Sequence, residues 1–176
     1  PLRLVGSEMC IRDSIYLDET VLRMCDTHRR MFVQLTSQLI KEGKKDKALK
    51  ALDYCEKVIP STTVPHDYLM SSSKEMAENY LALGQPQKAE KILNELANNA
   101  VEYATWYLSL DDARFTSSYE NCMRYFYILD DVCKTMAQMK DSKTGEENKS
   151  ALHYAQKFDQ LYKLLEKRVG NSAPAQ

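Results

Sequence analysis

Helix-breaking residues are scarce in this 176-residue sequence: five glycines and five prolines leave little chain for loops. Strand signals are equally thin, so the expected class is all-α. No basic excess exists either. The formal net charge is −1, which argues against nucleic acid as the main ligand because nothing is in surplus to neutralise phosphates. No apolar run approaches the roughly 20 residues needed to cross a bilayer, and no stretch reads as a secretory signal. Five cysteines do not make a disulfide framework in a chain this size. They include no CxxC pair and no Cys/His spacing that suggests zinc, so no metal is expected. Cys122 and Cys133 share a helix face but lie roughly 16 Å apart along it, too far to bond. Cys25, Cys55, Cys122 and Cys133 all fall on apolar helical stripes, which favours buried thiols over redox or metal roles. Three scattered histidines, no glycine-rich phosphate loop and no nucleophile motif leave no enzyme constellation, so no catalytic residue and no cofactor are assigned. The acid pairs Asp111-Asp112 and Asp130-Asp131 do not change this. Neighbours on a helix point about 100° apart and cannot converge on one substrate atom.

What is present is a unit used twice. In EGKKDKALKALDYCEKVIP, Glu42 to Pro60, Gly43 is followed five residues later by Ala48 and then by Leu52. In ALGQPQKAEKILNELA, Ala82 to Ala97, the same spacing joins Gly84, Ala89 and Leu93. Glycine lets the chain leave one helix through a left-handed residue without a Cβ clash. Alanine marks where the next helix packs too closely for anything larger. Phe32, Leu35 and Leu39 precede the first glycine at helical spacing, and Met76, Ala77 and Tyr80 precede the second. These positions resemble the tetratricopeptide repeat, with its small residue and aromatic on the first helix, Gly at the turn, Ala on the second and a closing Pro. Gly43 through Pro60 matches without a gap; the second copy lacks the proline. The copies are offset by 41 residues against about 34 for that repeat, and the excess falls in the loop Thr63 to Leu69. A generic αα-hairpin bundle shares most of this geometry.

Around that unit, a stripe of Val21, Cys25, His28, Phe32, Leu35 and Leu39 predicts a long helix from Asp18, capped by Asp18 or Thr20. His28 is read as a hydrogen-bonded packing residue, and Arg29 and Arg30 as solvated or salt-bridging. Lys41, Lys44, Lys45, Lys47 and Lys50 form a solvated turn, with an anionic lipid surface as the minor alternative. Ser72 with Glu75 and Ser117 with Glu120 read as capping boxes. A further helix carries Tyr103, Trp106, Tyr107 and Leu110 and ends near Asp111. The next presents Tyr119, Cys122, Phe126, Leu129, Cys133 and Met136. A polar loop from Lys140 to Lys149 leads to the last, with Ala151, Ala155, Phe158, Tyr162, Leu165 and Val169 on one face. Matching stripes across one loop imply an antiparallel hairpin. The organisation expected is therefore residues 1–14 outside the fold, tetratricopeptide-like antiparallel helix pairs (an αα superhelix) over 15–110, a C-terminal helical hairpin over 111–169 in the same domain, and a disordered tail over 170–176. The first segment is set apart because Met9 to Ser14, MCIRDS, resembles the translation of a transposon-end sequencing adapter. The resemblance implies a foreign segment and a missing native N-terminus; the alternative is an ordinary polar N-terminal arm.

The order of IYLDETVLRMCDTHRRMF (Ile15 to Phe32), EGKKDKALKALDYCEKVIP, VPHDY (Val64 to Tyr68) and YLSL (Tyr107 to Leu110) resembles the tail of one family. Its members are large multi-pass membrane proteins, commonest in Bacteroidetes, related to protein O-mannosyltransferases and other lipid-sugar-dependent glycosyltransferases. Their C-terminal part is a soluble tetratricopeptide-like domain. The resemblance implies that this chain is that domain without its membrane region, extracytoplasmic, non-catalytic, and binding an acceptor protein or partner. The alternative is a free-standing soluble adaptor that binds a peptide. A carboxylate clamp of the kind some adaptors use would fall, by register, at Val33, Ser37, Lys74 and Glu78, and only Lys74 fits. The candidate groove comprises Lys74 and Glu78 with Tyr103 and Tyr107. Two readings of the rings stand: they fill a seam of the core, or they open onto the groove as amphipathic contact area.

Overall fold

The computed structural model describes residues 17–139 and 148–171, and all regular structure among them is helical. The helices are α1 (Glu19–Lys41), α2 (Lys45–Val58), α3 (Ser73–Ala82), α4 (Pro86–Ser109), α5 (Asp112–Gln138) and α6 (Lys149–Asn171). They fall into two compact units, Pro1–Gly84 and Gln85–Gln176. The expectations for residues 1–14, for 140–147 and for 172–176 lie outside the described residues.

In the N-terminal unit, Asp18 opens α1 by accepting from the backbone N–H groups of Thr20 and Val21 at 2.8 and 3.0 Å. The α1–α2 turn passes through Gly43 at φ +74°, and Gly84 after α3 has φ +73°. Both sit where a side chain would be strained by backbone conformation alone, since an added Cβ meets nothing within 4 Å. Phe32 on α1 and Tyr54 on α2 stand equally far from Gly43, and their rings meet at 6.0 Å, so the two helices run antiparallel. Ala48 on α2 and Ala77 and Tyr80 on α3 are fully buried, as is Ala89 on α4. Pro60 follows the end of α2 and is exposed.

The face that α1 buries is not its apolar stripe. Arg29, Val33 and Thr36 are the buried residues of this helix, whereas Val21 and Leu35 are exposed, and so is His28, whose Nδ1 lies 2.7 Å from the Met24 carbonyl. The reason is hydrogen bonding. The Arg29 guanidinium, with no accessible surface, donates to the carbonyls of Ile59, Val64 and Pro65 at 3.2, 2.7 and 3.1 Å. That ties the whole loop after α2 to α1. Arg29 is thus neither solvated nor a simple surface ion pair, although Asp26 approaches it at 3.6 Å. Arg30 holds the next stretch of the loop through the Met70 carbonyl. Asn79 on α3 completes the face, its Nδ2 donating to the Val33 carbonyl at 3.2 Å and to Thr36 Oγ1 at 3.0 Å. Arg29 and Asn79 are buried here with partners for their donors, whereas Asp26 Oδ1 is buried without a hydrogen bond.

The capping expectation at Ser72 fails. Ser72 sits in the left-handed region at φ 54° and makes no side-chain cap bond. Ser71, Ser73 and His66 are instead linked to one another, with Ser71 Oγ to Ser73 Oγ at 2.6 Å and His66 Nδ1 to Ser73 Oγ at 3.0 Å. That cluster fixes the loop before α3.

The C-terminal unit is a three-helix bundle. Its first helix is one continuous α4 from Pro86 to Ser109; the separate helix expected for Tyr103 to Leu110 is its last two turns, with Leu110 as the C-cap. Nothing between Leu96 and Tyr103 breaks it, since no Gly or Pro occurs there. Asp111 caps α5 by accepting from the Arg114 N–H at 3.0 Å, so Ser117 lies inside that helix and is not a cap. Helix α6 lies parallel to α4 at a constant offset of 60 residues. Ser150 donates to Glu90 at 2.9 Å, Tyr154 to the Asn94 carbonyl at 3.3 Å, and Arg168 to the Leu108 carbonyl. This register rotates α6 from its expected face: Tyr154 and Leu161 are buried with Ala151 and Leu165, while Ala155, Tyr162 and Val169 are exposed. Phe126 on α5 packs edge-on against Phe158 at 5.8 Å, and Cys122, Leu129 and Met136 line the same buried face.

Candidate functional site

The four groove residues do not share a unit. Lys74 and Glu78 belong to the N-terminal unit, where they form an i,i+4 ion pair at 2.9 Å on α3. Of the clamp positions, Val33 is buried and Ser37 donates to Asn79 Oδ1 at 3.2 Å, so those groups are engaged within the fold. Tyr103 and Tyr107 belong to the C-terminal unit, one helical turn apart on α4.

There they form part of an aromatic cluster that neither sequence reading assembled. Tyr103 stacks on Tyr125 of α5 with centroids 4.7 Å apart and planes 16° from parallel. Tyr107 lies 5.8 Å from the same Tyr125 ring, and Trp106 meets Tyr107 edge-on at 4.7 Å. Tyr103 is 49% and Trp106 54% exposed. The rings therefore neither fill the core nor stand alone; they brace one another at the surface. Tyr125 was missed because it lies off the α5 core stripe, and only the antiparallel α4–α5 packing reveals it.

Two other features bear on chemistry. Among the described residues, a shallow concavity is lined by Glu19, Thr20, Arg23, Met24, Thr27 and His28, all from α1. Burial dominates the titration shifts of the thiols. It pushes Cys55 and Cys133 up to about 11 and also raises Cys122. Burial, followed by Glu56 and Asp53, raises Tyr80, whose hydroxyl donates to Asp53 at 3.2 Å. Such thiols are held protonated, the opposite of what a nucleophilic cysteine needs. Among the described residues no group of three or more His, Cys, Asp or Glu is placed to hold a metal ion, and no helix is long and apolar enough to cross a membrane.

The class these observations define is an all-α protein of helical hairpins. No protein-family model matches the chain, and neither does any curated protein or solved structure.

Proposed function

We propose that the chain is a non-catalytic interaction module that takes a protein or peptide segment on the aromatic surface of Tyr103, Trp106, Tyr107 and Tyr125. The observation that carries this reading is the half-exposure of braced, mutually stacked rings. Rigid amphipathic aromatics supply large contact area at little entropic cost, which is why Tyr and Trp dominate binding hot spots. Tetratricopeptide-like pairing of α1 with α2 is part of the same reading, supported by the positive-φ Gly43 and the buried Ala48.

The resemblance of the Ile15 to Leu110 segments supports a setting for the module. It would be the soluble, periplasmic C-terminal part of a membrane glycosyltransferase-like protein, presenting an acceptor or partner to a membrane region absent from this chain. Reading the source DNA upstream of Ile15 tests that setting: several membrane spans support it, and a start codon next to Ile15 defeats it in favour of a free-standing adaptor.

The binding claim is tested with an immobilised panel of unstructured peptides. Trp106, the sole tryptophan, serves as the fluorescent reporter. Trp106→Phe tests the optical signal, and Tyr103→Ala and Trp106→Ala test capture. Each alanine variant should weaken capture about tenfold or more, a hot-spot loss, at a stability cost of only about 1 kcal/mol for the lost ring contact. Unchanged capture, or a loss near the roughly 3–5 kcal/mol of a core ring, refutes the assignment.

A further inference from the structure

Independently of that reading, we propose that the outer face of α1 is a self-association surface, through which two copies of the chain pair antiparallel about a twofold axis at His28. The stripe that the sequence offers as core lies open. Val21 is 36%, Met24 56%, Met31 60% and Leu35 51% exposed, with Cys25 and Phe32 half-buried beside them. Residues 21, 24, 28, 31 and 35 follow the alternating three- and four-residue steps of a helix–helix seam, so the occupant that fits is another helix. From Thr20 to Gln38 the one exposed fixed charge on α1 is Arg23, and Glu19 holds it at 2.6 Å.

The stripe also matches itself. About His28, apolar residues stand at three residues either side (Cys25, Met31), at four (Met24, Phe32) and at seven (Val21, Leu35). Antiparallel pairing therefore sets Val21 of one copy against Leu35 of the other, and Met24 against Phe32. With no net charge on the stripe, self-pairing meets no like-charge penalty, and opposed helix dipoles favour the antiparallel sense. The open side chains present on the order of 400 Å² per copy, about 800 Å² in all, which places the pairing at the weak end of specific interfaces.

Sedimentation velocity of the whole chain between about 5 and 500 μM at neutral pH tests the proposal. The wild-type chain should dimerise with a Kd of roughly 10–500 μM. Val21→Glu and Leu35→Lys should each weaken association at least tenfold without moving the thermal melt of dilute protein. The double variant V21E/L35K should recover most of it, because antiparallel pairing places each introduced Glu against an introduced Lys. A chain monomeric at about 500 μM, or association indifferent to the single changes, overturns the surface. Failure of the double variant to recover overturns the antiparallel geometry.

Discussion

Replacing Arg29 tests the most consequential feature of the N-terminal unit. Arg29→Met keeps most of the aliphatic stem and removes the guanidinium. The carbonyls of Ile59, Val64 and Pro65 then lose a donor at 2.7–3.2 Å, and Asp26 loses its cation at 3.6 Å. Each buried acceptor left unpaired costs about 1–3 kcal/mol. The loop recovers part of that by admitting water, so the net loss should be about 3–5 kcal/mol, the usual range for breaking a buried charged network. Arg29→Lys keeps the charge but not the fork, and one ammonium cannot span three carbonyls; it should cost about 1–3 kcal/mol. With a urea slope of about 2 kcal/mol per M, the Met variant shifts the unfolding midpoint by roughly 2 M and the Lys variant by about 0.5–1.5 M. Far-UV circular dichroism is the appropriate probe, because Trp106 reports on the other unit. Adding Asp26→Asn to Arg29→Met should cost less than the two changes separately, since the pair acts together. A midpoint shift for Arg29→Met under about 0.5 M would show that the loop finds its own partners, and the anchoring role given to Arg29 would be wrong.

Three further outcomes follow from the geometry. Gly43→Ala and Gly84→Ala should each lose about 1 kcal/mol in urea melts, from backbone strain alone, because no atom crowds the added Cβ. Ala48→Leu, Ala77→Leu and Ala89→Leu should each lose about 1–3 kcal/mol by overpacking, as all three alanines are fully buried; neutral melts for all of them would undo the helix packing described. The thiols of Cys55 and Cys133 rise from 9.0 to about 11 on folding. The stability they contribute is therefore complete below pH 9 and declines as pH rises toward 11, so a midpoint that stays level across that window would contradict their burial.

Local chemistry was readable in the residues, and phase was not. Gly43 and Gly84 declare themselves because only a left-handed residue ends a helix that way, and Ala48, Ala77 and Ala89 because a small residue among long ones marks close approach. The faces of α1 and α6 were misjudged for a common reason. Apolar periodicity carries no trace of the hydrogen-bond partners that only the fold supplies. Arg29 enters the interior because three carbonyls wait there, and Tyr154 turns inward because its hydroxyl reaches the Asn94 carbonyl and Asn98 Oδ1 at 3.3 and 2.9 Å. The false capping boxes at Ser72 and Ser117 arose the same way: a short pattern was satisfied, but Ser72 is held by φ 54°, and Ser117 donates to the Arg114 carbonyl from inside α5 at 2.9 Å. Of the candidate site, single rings were legible and their mutual bracing was not, because Tyr125 arrives from a helix whose register no local signal sets.

The two units share one device that bears on the proposed function. In each, an arginine fork gathers backbone carbonyls where a helix gives way to a loop. Arg29 does so after α2. Arg168 does so at the end of α4, donating to the carbonyls of Leu108 and Leu110, reaching Asp112 at 3.3 Å and lying 4.6 Å over the Phe115 ring. A helix end has carbonyls without intrahelical partners, and a guanidinium can satisfy several at once from a fixed plane. For α4 the consequence is positional. Its final turns carry Trp106 and Tyr107, and the face of α4 toward α6 is tied along its length by Ser150 to Glu90 and Tyr154 to Asn94. A surface held at both ends before a partner arrives loses little freedom on binding. Frayed, the last turn of α4 would leave Trp106 on a mobile stub and Tyr107 without a fixed distance to Tyr125. The arginine therefore belongs to the proposed binding surface as much as to the core, because it holds the last turn of α4 that carries the rings.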